Sequence, residues 1–183
     1  MLPIFFDNII SKEDCNYILS VVKESNLWIK NPQNDFWSDR CLDYHLLKEK
    51  DEVAASIILF ANIRCEEIIK DKYKDKEVFP DLLQIVRWFP GMRQPPHADD
   101  MTNTEVKGLE HRKYGSIIYL NDDYGGGKTF YPQHNFEITP KKGRLAIHPG
   151  TPDYMHGVSE VKNGIRYTIA SFWTNDEKKS IFK

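Results

Sequence analysis

The period of the hydrophobic positions changes near residue 81, dividing the chain into a helical part and a strand-rich part. After Ser11, with Asp14 placed as in a capping arrangement, Cys15, Ile18, Leu19 and Val22 recur at the spacing of one helix face. A second helix is predicted from about Glu49 to Tyr73, with Val53, Ile57, Phe60, Ile63 and Ile68 among its apolar positions. From Asp81 onward, short β-branched and aromatic runs alternate with glycine- and proline-containing turn signals. They predict strands at Leu82–Phe89, Tyr114–Leu120, Lys128–Tyr131, Asn135–Thr139, Arg144–His148, Tyr154–Ser159 and Ile165–Trp173. Asn121–Gly127 and Pro140–Gly143 are the expected hairpin turns, whereas Met101–Lys113 is too long and polar for a tight connection and is expected to form a mobile flap. The pattern predicts a mainly β fold with N-terminal helices (α+β), a sandwich or jelly roll buttressed by two or more helices.

Length and composition narrow this picture. At 183 residues the chain is expected to form a single domain over 1–183, with 1–80 as the helical support and 81–175 as the β core. A formal charge of −2, with both signs mixed along the chain, leaves no footprint for nucleic acid or an anionic membrane surface. Cys15, Cys41 and Cys65 are widely spaced and form neither a CxxC pair nor a disulfide framework, which suits a reducing compartment. The opening Met1–Phe6 is apolar but short, lacks a basic leader and runs into Asp7, so neither a signal peptide nor a membrane span is expected. A soluble, cytoplasmic protein follows as the expectation.

The candidate chemistry begins at His97-Ala98-Asp99. Residues two apart share one side of a strand, so His97 and Asp99 can present an imidazole and a carboxylate together at a strand end, with the small Ala98 turned away. His156 supplies a third ligand after enough chain for several antiparallel strands to return to the same mouth. Two imidazoles and one carboxylate cap one face of an octahedral ferrous ion and leave the other face open for an oxidisable co-substrate and dioxygen. Arg166 lies within the apolar run Tyr167, Ile169, Ala170, Phe172 and Trp173, where it requires an anionic partner or exposure. The far end of a dicarboxylate would satisfy it through a charge-assisted fork. Against these readings, an HxD triplet arises by chance, a lone histidine is commonly a surface residue, and an arginine can sit on the solvent face of an edge strand. His45, His111, His134 and His148 pair with no carboxylate at useful spacing and read as solvated or structural, with His148 as the reserve ligand.

Together, His97, Asp99, His156 and Arg166 resemble the iron- and 2-oxoglutarate-binding set of the 2-oxoglutarate-dependent dioxygenases, whose fold is a double-stranded β-helix of the cupin-like jelly-roll kind. Three further stretches resemble the prolyl 4-hydroxylase branch: Tyr119-Leu120-Asn121, Gly126-Gly127-Lys128-Thr129-Phe130-Tyr131-Pro132 and Arg166-Tyr167-Thr168-Ile169. The resemblance spans about Leu82 to Trp173. It implies that His97, Asp99 and His156 bind Fe(II), that Arg166 binds the distal carboxylate of 2-oxoglutarate, and that the Tyr119 hydroxyl joins that contact. Thr168, on the same strand face as Arg166, is a candidate for a second hydroxyl. Dioxygen is the implied oxidant and ascorbate an optional auxiliary reductant. The implied reaction hydroxylates a proline in a protein or peptide while 2-oxoglutarate is decarboxylated to succinate.

Two departures bear on substrate. Collagen-type prolyl hydroxylases usually carry lysine where this chain has Arg166, which places the match nearer the oxygen-sensing and bacterial relatives. Phe89 stands where many relatives have tyrosine, with Arg87, Trp88 and Met92 nearby as an alternative wall. Trp88 and Met101–Lys113 are the expected substrate contacts. The alternatives are a 2-oxoglutarate-dependent hydroxylase of a small molecule or another amino acid, and a non-enzymatic cupin-like protein that binds a metal or ligand. Arg166 separates the oxygenase readings from the last, because a purely structural metal site has no use for a dicarboxylate anchor. A nucleic-acid demethylase is disfavoured by the lack of a basic aromatic groove and of a second late arginine after Arg166.

Overall fold

The structure is a computed structural model that describes residues 2–102 and 107–182. Strand β1 (Ile4–Phe6) precedes helix α1 (Lys12–Lys23), and β2 (Cys41–Asp43) leads directly into α2 (Tyr44–Lys50) and α3 (Glu52–Tyr73). The strand-rich part comprises β3 (Phe79–Trp88), β4 (Gln94–His97), β5 (Arg112–Tyr119), β6 (Gly125–Gly126), β7 (Thr129–Tyr131), β8 (Phe136–Ile138), β9 (Leu145–Pro149), β10 (His156–Val158), β11 (Val161–Asn163) and β12 (Arg166–Thr174).

These strands form a six-stranded sheet in the order β1-β9-β5-β12-β3-β2, a four-stranded sheet in the order β4-β10-β7-β8, and the small β11-β6 pair. Residues of the two larger sheets line one cavity between them, the arrangement of a double-stranded β-helix. Strand β12 shows how the sequence achieves this. Its Arg166, Thr168, Ala170 and Phe172 line the cavity, while Tyr167, Ile169 and Trp173 join the core beneath the helices. A strand buried on both faces needs this continuous apolar texture, and the two-residue period sorts cavity from core.

The helices cover the outer face of the large sheet. In α1, Ser11 accepts a hydrogen bond from the Asp14 amide at 3.0 Å, and Cys15, Ile18, Leu19 and Val22 are buried, as the periodicity predicts. The predicted Glu49–Tyr73 helix is instead two helices separated at Asp51, whose extended backbone ends α2 and caps α3. Its carboxylate accepts from the Ala54 amide at 2.8 Å and from the Tyr17 hydroxyl. Replacing Asp51 by alanine is expected to cost about 1 kcal/mol in denaturant unfolding; an unchanged midpoint would contradict this capping role.

Of the apolar positions named in this helix, Ile57 and Ile68 pack against the core, but the inner face of α3 is made mainly by other residues. It buries Ala54, Ala55, Ile58, Ala61, Cys65 and Ile69, while Val53 is 58% exposed and Phe60 68% exposed. The helix is apolar on two faces, and the alanine-rich face is the one that allows close approach to the sheet. There Ser171 on β12 donates to the buried Asn62 side chain at 2.8 Å.

Neither predicted hairpin turn joins hydrogen-bonded neighbours. Asn121–Gly127 leads from β5 in the large sheet to β7 in the small one, and Pro140–Gly143 leads from β8 back to β9. Glycine is needed at both bends, since Gly126 and Gly143 have φ of +70° and +78°, but the chain changes sheets there instead of folding back on itself. Strand β4 was hidden by Pro95 and Pro96, which its place at the edge of the small sheet tolerates. Of the expected Met101–Lys113 flap, residues 103–106 lie outside the described residues, while Met101, Leu109 and Arg112 border the cavity. Among the described residues, no helix is long and apolar enough to cross a membrane.

Candidate active site

His97 is the last residue of β4 and His156 the first of β10, and the antiparallel register sets them directly opposite one another. Asp99 lies just beyond the end of β4, so the small sheet delivers all three side chains to one mouth. One ligand atom from each lies within 4.8 Å of the others. Asp99 Oδ1 is 3.8 Å from His97 Nε2 and 3.6 Å from His156 Nε2, spacings that leave room for an ion among them. The opposite ring nitrogens face backbone carbonyls, His97 Nδ1 at 3.2 Å from Pro95 O and His156 Nδ1 at 3.3 Å from Tyr154 O. A proton on each Nδ1 satisfies those carbonyls and turns the Nε2 lone pairs toward the shared point.

The charge states suit cation binding. Burial, reinforced by the neighbouring His148, pushes the His156 imidazolium down to about 3 despite the attraction of Asp99, so the ring is neutral at ordinary pH. Burial pushes the Asp99 carboxyl up, but the surrounding imidazoles, His156 foremost, and the hydrogen bond from His148 outweigh it and hold the group below its ordinary range. A buried carboxylate flanked by two imidazoles whose Nε2 atoms face it is an attractive place for a divalent cation.

Arg166, also predicted from sequence, opens on the same cavity of about 320 Å³ as this triad. It is buried, and no carboxylate pairs with it among the described residues. Its Nη2 donates to Thr129 Oγ1 at 3.3 Å, and the same oxygen is 2.7 Å from the Tyr119 hydroxyl. Tyr119 therefore meets Arg166 through Thr129, and its ring lies 5.3 Å from the guanidinium carbon. Three buried polar atoms in this neighbourhood have no partner among the described residues: Arg166 Nε, Trp88 Nε1 and the Tyr124 hydroxyl. Trp88 faces the guanidinium at 5.5 Å, and Tyr124 and the Arg166 stem both crowd Gly127. A cation surrounded by unfilled donors is what an anionic ligand would complete. Thr168 is buried two residues along β12 and lines the cavity as well.

A family model described as the 2OG-Fe(II) oxygenase superfamily matches residues 83–174. The chain belongs to that superfamily. The matched segment contains the triad and Arg166, and the family uses Fe(II), 2-oxoglutarate and dioxygen. Mouse prolyl 3-hydroxylase 3 is 30% identical over 96 residues, a stretch covering 45% of this chain and only 13% of that protein. Among solved structures, the viral collagen prolyl hydroxylase of Paramecium Bursaria Chlorella virus-1, in complex with 2OG, superposes with a TM-score of 0.72 at 17% identity, covering 97% of each chain. A Trichoplax adhaerens prolyl hydroxylase bound to a hypoxia inducible factor peptide gives a TM-score of 0.71 at 13% identity, covering 99% of this chain and 87% of that one. At such identities these structures establish the shared fold.

In this member of the superfamily the donor set fits Fe(II), with two imidazole nitrogens and one hard carboxylate oxygen, and the orphaned donors around Arg166 fit a dicarboxylate. Several residues of the site escaped the sequence. Thr129, within a run picked out by resemblance, is the oxygen that links Arg166 to Tyr119. His148 is neither solvated nor a ligand of the triad, since its Nε2 donates to Asp99 Oδ2 at 3.0 Å. His111 likewise pairs with a carboxylate, Asp81, at 2.8 Å. Arg40 is fully buried with its guanidinium 3.8 Å from the Trp88 ring and 4.5–4.7 Å from Phe36 and Trp37. Burial lowers its pKa to about 10, and it braces the cavity wall at Trp88. No spacing in the chain announces such a cage, because its members are brought together only by the fold.

Proposed function

We propose that this chain is an Fe(II)/2-oxoglutarate-dependent dioxygenase that hydroxylates proline in a peptide or protein. The observation that carries the oxygenase reading is a buried arginine with no carboxylate partner among the described residues, opening on the same cavity as two histidines and an aspartate that can share one ion. The prolyl substrate is supported by the relatives, which include prolyl 3-hydroxylases and a Pseudomonas putida prolyl-4-hydroxylase.

When bound, Fe(II) with 2-oxoglutarate and dioxygen supplies the oxidising power, coupling decarboxylation of the keto acid to insertion of one oxygen atom into a C–H bond. The side chains provide the setting for that chemistry. His97, Asp99 and His156 hold the metal from one side. Arg166 grips the distal carboxylate of 2-oxoglutarate with a charge-assisted fork, positioned by Thr129 and Tyr119, while Thr168 offers a further hydroxyl on the same strand face. Trp37, Trp88, Val86 and Phe172 make the cavity wall largely apolar, which excludes water and suits a pyrrolidine ring. Ascorbate would serve only to restore oxidised iron.

The test is mass spectrometry of proline-containing peptide pools and cell lysate incubated with protein, Fe(II), ascorbate and 2-oxoglutarate. The expected result is a gain of one oxygen on proline, with succinate formed alongside, and fragmentation of the product assigns the carbon. Oxygen gained only by metabolites, or by another amino acid, would overturn the prolyl assignment and leave the oxygenase standing.

A further inference from the structure

Asp99 has two carboxylate oxygens, and the fold treats them differently. Oδ1 faces the Nε2 atoms of His97 and His156, whereas Oδ2 is 3.0 Å from His148 Nε2. Both Asp99 and His148 are essentially inaccessible to solvent. The other nitrogen of His148, Nδ1, lies 2.9 Å from the buried Tyr131 hydroxyl. The backbone of β5 closes over this pair at Gly115, where a Cβ would fall 2.6 Å from His148 Nε2 and still closer to Asp99 Oδ2. The Asp99–His148 contact is therefore packed directly against main chain, with no space for a side chain at 115.

The direction of the hydrogen bonds follows from which atoms can donate. An ionised carboxylate only accepts, so His148 must carry a proton on Nε2. Burial pushes the Tyr131 phenol well above its ordinary pKa, so it pairs with Nδ1 as an intact hydroxyl. Tyr131, His148 and Asp99 thus form a buried hydrogen-bonded chain in which Nε2–H donates to Asp99 and Nδ1 is held by the Tyr131 hydroxyl. The rings also stack on the site, His148 at 4.1 Å and Tyr131 at 5.7 Å from the His156 ring centroid.

Resting on the metal-site reading above, we infer that His148 is a positioning residue which occupies Asp99 Oδ2 and so presents Oδ1 alone to the metal, with the Tyr131 hydroxyl holding the imidazole in the orientation that makes this possible. One-oxygen binding by Asp99 keeps a coordination position free for other ligands, and an aspartate released from His148 can turn and use both oxygens. His148 itself stays out of the coordination sphere, since its Nε2 is spent on Asp99.

Cobalt(II) serves as a probe because its visible absorption reports coordination number and geometry without turnover. The protein, its His148→Phe and His148→Gln variants and its Tyr131→Phe variant are titrated with Co(II), and each apo form is melted. His148→Phe is expected to weaken Co(II) binding about 10–100-fold and to change the absorption envelope. In His148→Gln an amide N–H can still reach Asp99, so binding is expected to stay within about threefold of wild type with the wild-type spectrum. Tyr131→Phe deletes only the hydroxyl and should weaken binding about three- to tenfold, and it decides the matter if His148→Phe does not fold. Folded His148→Phe, or in its place Tyr131→Phe, with wild-type affinity and spectrum overturns the positioning role while leaving the triad intact. Loss in His148→Gln equal to that in His148→Phe also overturns it, by marking His148 as a direct ligand or a packing residue. Failure of the wild-type protein to bind Co(II) overturns the metal site itself and this inference with it.

Discussion

Asp99→Ala is expected to abolish both divalent-metal binding and the conversion of 2-oxoglutarate to succinate, while the apo protein stays folded. Removing even an outer partner of a metal ligand costs about 10–100-fold in affinity, so deleting the one anionic ligand should exceed that range. The substitution leaves two imidazoles and a weak site with no negative charge to offset a dication. His148 loses its acceptor as well, so part of the wall relaxes. Asp99→Asn keeps the shape and an acceptor for His148 but not the charge, and it should behave like the alanine variant in metal titration. Calorimetric titration with Fe(II) under anaerobic conditions and a succinate assay read the two effects. Retention of wild-type metal affinity in either variant would remove Asp99 from the coordination set.

The second large effect is expected at Arg166. Arg166→Met should raise the dissociation constant for 2-oxoglutarate about 100-fold or more, the loss expected when a bidentate charged contact of about 3 kcal/mol disappears. Metal affinity should not move, because the guanidinium is not a ligand. Stability should not fall either. A buried charge with no carboxylate partner among the described residues carries an uncompensated desolvation penalty, so an apolar side chain of similar length is expected to leave the apo melting temperature unchanged or raised. That pairing of a more stable fold with a lost ligand marks a residue kept for binding. Parallel loss of metal, co-substrate and melting temperature would instead make Arg166 a structural arginine.

How much of this was legible in the sequence depended on whether a feature is local or assembled. The two-residue spacing of His97 and Asp99 was enough to bring them together, although Asp99 sits in the turn beyond β4 and not on the strand itself, and Arg166 stands out because a charge inside an apolar run needs a reason. His156 was readable only as a third donor at a plausible distance along the chain. His148 stood out only as a reserve ligand at a strand end, and its actual partners could not be read because Asp99 and Tyr131 are 49 and 17 residues away. The main strands were found by texture, but β4 was masked by its prolines and the short β1, β2, β6 and β11 have too few residues to show a period. The turns at Asn121–Gly127 and Pro140–Gly143 were recognised as bends, yet glycine chemistry does not say whether the next strand pairs with the last or crosses to the opposite sheet. Helix α3 shows a further limit. When two faces are apolar, periodicity names the helix without naming its buried side, and the smaller alanine face lies against the sheet.

The most direct test is diffraction at the manganese absorption edge from anaerobic crystals holding Mn(II) and 2-oxoglutarate. The expected map has one anomalous peak enclosed by His97 Nε2, Asp99 Oδ1 and His156 Nε2, with the co-substrate running from that peak to a carboxylate on Arg166. A peak elsewhere, or a co-substrate that leaves Arg166 untouched, would contradict the site assigned to this chain.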